Sequence, residues 1–303
     1  MKLIFAGTPK VAALVLQELA KEHQISLVIT RPDSLVGRKR DVTPSEVAKL
    51  AEQLGIPVLK ANRLGQSEFE DIRKAGATRA IVVAYGSIIP KEALELFPWW
   101  NLHFSLLPAW RGASPLQYSL IKNSGQGISL FELEAALDTG PLIDSVALQH
   151  PEDKPAGEIL ADLAGLGAEM ILRNLAIPAL PKQQEGEATF APKISRADAR
   201  VNFSETATLI QRKIYAFNPE PVAWCKAEGK ELRIFSARSF GTIDAKSKGV
   251  DELEPGELKV SQGRVLVGCG QGSKLELIEV QSAGGRRMNA IDWHRGFGGS
   301  KLE

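Results

Sequence analysis

Three residues in this sequence pair reactive side chains with a spacing that a reaction site can use. Asn101 and His103 stand two apart in the run Trp99-Trp100-Asn101-Leu102-His103. On a β-strand that spacing sends both side chains to the same side. The asparagine amide is a neutral hydrogen-bond donor. The imidazole can deliver a proton or, when charged, act as a cation. Asp138 follows in the tight turn Leu137-Asp138-Thr139-Gly140, where a carboxylate can orient the imidazole and move protons. A strand-end histidine and an Asx turn also occur as ordinary structure, so these side chains alone leave the site reading open.

Other chemistries are disfavoured. Gly7-Thr8-Pro9 follows the first apolar run but lacks the GxGxxG pattern of dinucleotide binding, and Pro9 removes an N–H that would face a phosphate. No segment resembles a phosphate-binding Walker loop. His23, His103, His150 and His294 show no metal-ligand spacing, and Cys225 and Cys269 form no CxxC pair, so neither a metal site nor a disulfide scaffold is expected. With 37 Lys+Arg against 36 Asp+Glu the net charge is +1, which excludes a polybasic binder but not a local basic patch. No apolar run approaches the roughly 20 residues of a membrane span. MKLIFAGTPK carries no extended apolar core of the secretory type. The expectation is a monomeric, cytoplasmic protein with no membrane partner.

The elements that would position the three residues follow from the hydrophobic pattern. Leu3–Ala6 and Ile25–Thr30 read as buried strands around a helix with Ala12, Val15, Leu16 and Leu19 inward. Helices are expected over Ser45–Leu54 and Glu68–Lys74, and Arg79–Ala84 is the clearest buried strand. Trp100–Phe104 is the strand that carries Asn101 and His103, and it runs into the Pro/Gly loop Leu106–Ala113. In an open parallel sheet, ligands bind at that carboxyl edge. Strands Ile128–Leu133 and Leu142–Leu148 follow. A long helix near Ala156–Leu175 should bury Ile159, Leu163, Leu166 and Met170. Arg31–Pro44, which contains Arg38-Lys39-Arg40, reads as a long exposed loop.

The texture changes near residue 176. Residues 177–203 read as a polar, proline-punctuated linker. Beyond it come a helix, Ala207–Phe217, and about five short alternating strands that suggest a small barrel. The fold class expected is therefore α/β: a Rossmann-like, mostly parallel sheet in residues 1–176, and a smaller OB-like β-barrel in residues 204–303.

The run NLHFSLLPAWRGASP, from Asn101 to Pro115, resembles the signature of the folate-dependent formyltransferases. AYGSIIP (Ala84–Pro90) and LDTG (Leu137–Gly140) stand where that family has matching segments. FAGTP, the RPD…GRKR…TPSEV region, IYAFNPEPVAW (Ile214–Trp224) and QSAGGRRM (Gln281–Met288) extend the likeness over nearly the whole chain. They are similar to the branch whose acceptor is an aminoacyl-tRNA. The resemblance implies transfer of a formyl group from 10-formyltetrahydrofolate to the α-amine of methionyl-initiator-tRNA, with no metal. Asn101 and His103, protonated when it acts, would stabilise the oxyanion, Asp138 would hold His103 and relay a proton, and Ser105, Leu106, Leu107 and Pro108 would line the folate pocket. Arg38, Lys39 and Arg40 would touch tRNA phosphates, and the second domain would also face tRNA. The basic loop can equally be an ordinary solvated one. A small amine acceptor, such as a sugar nucleotide or glycinamide ribonucleotide, and a silent tRNA- or folate-binding module are the alternatives. The basic loop and the second domain argue against the former, and the intact trio against the latter. Two residues depart from the family pattern. Ala136 stands where a glycine usually precedes the LDTG turn, where it would ease a positive φ, and Lys39 also replaces a glycine.

Overall fold

The structure, a computed structural model, describes residues 1–36, 41–177, 179–240 and 253–303. It forms two compact units, each drawn from separate parts of the chain. One comprises Met1–Pro115, Gly125–Gln149 and Leu160–Pro192. The other comprises Leu116–Ser124, His150–Ile159 and Lys193–Glu303.

The first unit is built on β1 (Lys2–Gly7), α1 (Lys10–Glu22), β2 (Gln24–Thr30), β3 (Ser34–Val36), β4 (Asp41–Thr43), α2 (Glu46–Gln53), β5 (Val58–Lys60), α3 (Gln66–Lys74), β6 (Arg79–Val83), α4 (Lys91–Leu94) and β7 (Trp99–His103). After β7 come β8 (Arg111–Gly112), α5 (Pro115–Lys122), β9 (Gly127–Glu132), β10 (Leu142–Ala147), α6 (Ala156–Ala176) and β11 (Phe190–Ala191); of these, α5 from Leu116 and α6 up to Ile159 fall in the second unit. Among the described residues the main sheet runs β10-β9-β7-β6-β1-β2-β5. β5, β2, β1, β6 and β7 are parallel, and β9 and β10 join as antiparallel edge strands. Leu3, Ile4, Phe5 and Ala6 on β1 are all fully buried, as a strand covered on both faces requires. One face packs Ile4, Ile29, Phe69, Ile72 and Val82 into a single cluster. Gly7 ends β1 because nothing larger fits: a Cβ there would lie 2.7 Å from the Ala12 Cβ and 2.9 Å from the Val83 carbonyl.

Two expectations change here. The Arg31–Pro44 stretch is not plain loop: β3 and β4 pair as an antiparallel hairpin, with Leu35 opposite Val42. Both of those side chains are exposed, so the hairpin has no buried face to leave an alternating pattern in the sequence. On α6, Ile159, Leu163 and Met170 are buried as expected, but Leu166 is exposed. The inward stripe instead runs through Leu163, Gly167, Ile171 and Asn174, which keeps the 3.6-residue period better than Leu166 does.

The second unit holds α7 (Ala207–Ala216), β12 (Ala223–Ala227), β13 (Lys230–Phe240), β14 (Leu258–Ser261), β15 (Arg264–Gly268), β16 (Lys274–Ser282), β17 (Met288–Asn289) and a last helix, α8 (Ala290–Phe297). The described strands form an antiparallel sheet ordered β12-β13-β16-β15-β14. Its two outer strands are joined by the chain's final residues. Lys226 and Glu303 exchange backbone hydrogen bonds of 2.8 and 2.9 Å beside β12. Leu302 N–H donates to the Gly256 carbonyl, and Leu258 N–H to the Ser300 carbonyl, beside β14. The tail thus closes the sheet into a barrel, which removes both free edges. α7 lies on β13, where the Tyr215 hydroxyl is 2.9 Å from Ser236 Oγ. Burial pushes the thiols of Cys225 and Cys269 up to about 12, so neither is a ready nucleophile.

Candidate functional site

β7 ends at the carboxyl edge of the parallel strands, and its last residue is His103. The parallel pairing with β6 and the antiparallel pairing with β9 leave Asn101 and His103 on the same side of the sheet. His103 is buried, whereas Asn101 is only half-buried, and its carboxamide has no hydrogen-bond partner among the described residues. An amide donor is therefore open beside a buried imidazole.

The loop after β7 folds back onto that imidazole. His103 Nε2 lies 3.0 Å from the Trp110 carbonyl. A carbonyl can only accept, so Nε2 carries the proton and Nδ1 presents its lone pair. Trp110 has a φ of +64, a left-handed turn that aims its carbonyl inward. Gly112 follows with a φ of +129, and a Cβ there would meet the Ala191 carbonyl at 2.6 Å, so only glycine lets the two chain segments approach.

Asp138 arrives from the turn between β9 and β10. Its Oδ2 accepts the Gly112 N–H at 2.7 Å and stands 3.9 Å from His103 Nδ1. That is too long for a hydrogen bond but close for a charge, and it leaves Nδ1 free to meet a reacting atom. Burial pushes the His103 imidazole below its ordinary 6.5, opposed by the Asp138 carboxylate and the Trp110 carbonyl. Burial thus favours the neutral imidazole before reaction, and the Asp138 carboxylate favours the charged form once a proton arrives. What the site holds ready is a base at Nδ1, with a carboxylate placed to stabilise the cation formed when it takes up a proton.

The turn at Asp138 also differs from the sequence expectation. The positive φ, +51, falls on Asp138 itself, and Ala136 is not among the positive-φ residues. The turn thus makes no demand for glycine at 136.

Of the four residues expected to line a pocket, Ser105 is fully buried and its hydroxyl donates to the Ala109 carbonyl at 2.6 Å. Its carbonyl accepts the Ser129 hydroxyl at 2.8 Å, and Ser129 Oγ in turn accepts the Leu107 N–H at 3.0 Å. Leu107 is buried as well, while Leu106 and Pro108 are half-buried, and the Leu107-Pro108 peptide is cis. Ser105 and Leu107 are thus committed to the loop's own frame, and Leu106 and Pro108 keep exposed surface. Arg38, Lys39 and Arg40 lie outside the described residues.

The sequence reading missed a set of residues in the stretch taken as linker. Thr189 Oγ1 accepts the Trp110 N–H at 2.9 Å, and the Thr189 carbonyl accepts the Arg111 N–H at 2.9 Å. Gln184 donates to the carbonyls of Asp138 and Gly140, both at 2.8 Å. Residues 182–191 therefore run as a strap along the loops that carry both site residues. The only available signal was composition, since TFAP interrupts an otherwise polar run.

A mostly parallel sheet with a His–Asp pair and an unpaired amide at its carboxyl edge, followed by an antiparallel barrel, has the architecture of an α/β enzyme with an appended β-unit. The chain belongs to the formyl transferase family: residues 1–175 match the formyl transferase model, and residues 193–298 match the model of the formyl transferase C-terminal domain. It is 40% identical over 309 residues to a methionyl-tRNA formyltransferase of Leifsonia xyli subsp. xyli, covering 100% of this chain and 99% of that protein. Among solved structures it is similar to a methionyl-tRNA formyltransferase from Clostridium thermocellum, with a TM-score of 0.58 and 21% identity over 78% of this chain and 93% of that one. It is also similar to an N-formyltransferase from Helicobacter canadensis in complex with folinic acid and dTDP-3-aminofucose. The TM-score is 0.63 and the identity 18% over 91% of this chain and 98% of that one. No described helix is long and apolar enough to cross a membrane. No group of His, Cys, Asp or Glu among the described residues is arranged to hold a metal ion.

Proposed function

We propose that this chain transfers the formyl group of 10-formyltetrahydrofolate to the free α-amino group of methionyl-initiator-tRNA, giving the N-formylated product used to start translation. The carrying observation is the His103–Asp138 pair beside an open Asn101 amide, in a family member 40% identical over its whole length to a relative of that activity. Family membership supports a folate-type donor, and the basic loop and barrel favour tRNA over a small amine as acceptor. The catalytic domain is the first unit, which keeps the 182–191 strap expected to be linker, and the tRNA-binding domain takes up the chain from Lys193 rather than from 204. The chain acts as a monomer in the cytoplasm.

The reaction forms a bond from the amine nitrogen to the formyl carbon and breaks the bond from that carbon to the donor nitrogen. The amine loses one proton and the donor nitrogen gains one. A free α-amine has a pKa of about 7.7–8.0, and the ester of aminoacyl-tRNA lowers it, so the nucleophile is neutral near physiological pH. Asn101 donates its amide N–H to the oxygen as negative charge develops there. His103 Nδ1 accepts the amine proton, while its Nε2–H stays anchored on the Trp110 carbonyl. The Asp138 carboxylate, 3.9 Å away, stabilises the resulting imidazolium, which then returns the proton to the leaving nitrogen. Leu106 and Pro108 offer apolar surface to the folate, while Ser105 and Leu107 hold the shape of that wall. Arg38, Lys39 and Arg40 grip tRNA phosphates.

The test is direct. Purified chain is incubated with 10-formyltetrahydrofolate and methionyl-tRNA, the amino acid is released, and its mass is measured. A gain of one formyl group is expected. Formylation of an amino-sugar nucleotide in a parallel reaction, with none of methionyl-tRNA, overturns the reading.

A further inference from the structure

The strap of residues 182–191 spends its polar groups on the two loops that carry His103 and Asp138. Thr189, at one end, takes the Trp110 N–H and so fixes the residue whose carbonyl holds His103 Nε2. Gln184, near the other end, spends both amide hydrogens on the carbonyls of Asp138 and Gly140, at opposite ends of the turn. Its Oε1 accepts from Arg111, with Nη2 at 2.6 Å and Nε at 3.2 Å. Arg111 directly precedes Gly112, whose N–H holds the Asp138 carboxylate. The four groups form a closed circuit: Gln184 to the Asp138 backbone, the Asp138 side chain to Gly112, and Arg111 back to Gln184.

We propose that Gln184 is a positioning residue for formyl transfer, holding the Asp138 turn against the Arg111–Gly112 loop so that the carboxylate faces His103 Nδ1. The proposal rests on the site reading given above and adds to it a residue from the stretch that the sequence presents as linker.

The physical need is visible at Asp138. Asp138, at φ +51, sits in the left-handed region, which an aspartate visits where local hydrogen bonds support it. Such a conformation persists only where its surroundings hold it. Gln184 caps the carbonyl of that residue itself. Side-chain identity matters because the turn offers two acceptors and Arg111 offers donors. Only a carboxamide matches both, with its N–H₂ toward the turn and its oxygen toward the guanidinium. A glutamate would keep the shape and the Arg111 partner but turn an oxygen toward two carbonyl oxygens.

The experiment is a double-mutant cycle of Gln184→Glu and Asp138→Asn, read by single-turnover formylation with thermal melting alongside. In the parent background, Gln184→Glu should lower the rate of the chemical step about 10–100-fold, since a displacement near 1 Å can cost about 100-fold. The KM for the folate donor should stay within about two-fold. In the Asp138→Asn background the same change should cost less than about three-fold, because the group it positions is gone. Gln184→Met, which lacks the donors and adds no charge, should give the same pattern and replaces Gln184→Glu if that variant does not fold. A full loss from the Gln184 change in both backgrounds, or a parent-like rate in Gln184→Glu and Gln184→Met, overturns the proposal while leaving the site reading intact. A parent-like rate in Asp138→Asn alone overturns the site reading and the proposal with it.

Discussion

Replacing Asp138 by asparagine removes one charge and almost nothing else. Asparagine tolerates the left-handed backbone that Asp138 occupies at φ +51. Its amide oxygen can still accept the Gly112 N–H, and the Gln184 bonds go to backbone carbonyls that the substitution leaves alone. Weakening one charged hydrogen bond should cost about 1 kcal/mol of stability, so the fold should persist. The site loses its only carboxylate within 4 Å of His103 among the described residues. The imidazolium formed at Nδ1 then has burial against it and only the Trp110 carbonyl in its favour. The proton transfer at His103 that this carboxylate supports contributes about 10²–10⁴ in rate, and at about 1.36 kcal/mol per tenfold that is about 2.7–5.4 kcal/mol of barrier. Rapid-quench single-turnover formylation at saturating folate and methionyl-tRNA measures the step, and a calorimetric melt measures the fold. A rate within about three-fold of the parent, in a protein that melts normally, would refute the assignment of Asp138 as the carboxylate that stabilises the His103 imidazolium.

The same physics gives three further expectations. Because burial lowers the His103 pKa in the folded state, the unfolded chain binds a proton below about pH 6.5 that the folded chain refuses, so stability must fall as pH drops from there. Urea unfolding between pH 7.5 and 5.5 should show a steeper loss in the parent than in His103→Gln, and parallel curves would remove the buried neutral imidazole from the account. Arg38→Ala with Arg40→Ala should cripple formylation of methionyl-tRNA, leave folate binding unchanged and flatten the salt dependence of tRNA binding; normal turnover across several salt concentrations would mean that tRNA is held elsewhere. Leu302→Ala removes a buried side chain from the tail that closes the barrel, and should destabilise the protein by about 2–5 kcal/mol; a loss below about 1 kcal/mol in urea titration would show that the closure carries little.

Much of the first unit was legible because its strands are buried on both faces. Leu3–Ala6, Ile25–Thr30 and Arg79–Val83 read as apolar runs with helices between, and that pattern admits few folds. The relation of Asn101 to His103 was legible for a simpler reason, since a two-residue spacing on a strand fixes the shared side. What escaped was structure without a repeating apolar face. The β3–β4 hairpin exposes Leu35 and Val42, and the barrel-closing tail makes its contacts in only a few residues, too few for any period to appear. The direction in which burial pushes the His103 pKa was also out of reach, because it depends on how completely the ring is covered.

The strap shows why a site can be half visible in a sequence. His103 and Asp138 stand out by chemical type, since few side chains move protons near neutral pH, and Asn101 by its two-residue spacing from His103, but only the NLHFSLLPAWRGASP run made them a site. Gln184 and Thr189 have no such mark, because a carboxamide or a hydroxyl in a polar, proline-rich stretch looks like solvated chain. Their importance comes from where their hydrogen bonds end: on the Trp110 N–H that sets the imidazole's anchor and on the Asp138 carbonyl that sets the carboxylate's turn. One extended segment thereby fixes two loops that are distant in sequence, and the 3.9 Å between Nδ1 and Oδ2 follows from backbone held at both ends rather than from a direct bond between the pair. A pair placed this way can take up a proton at Nδ1 without first breaking a hydrogen bond of its own.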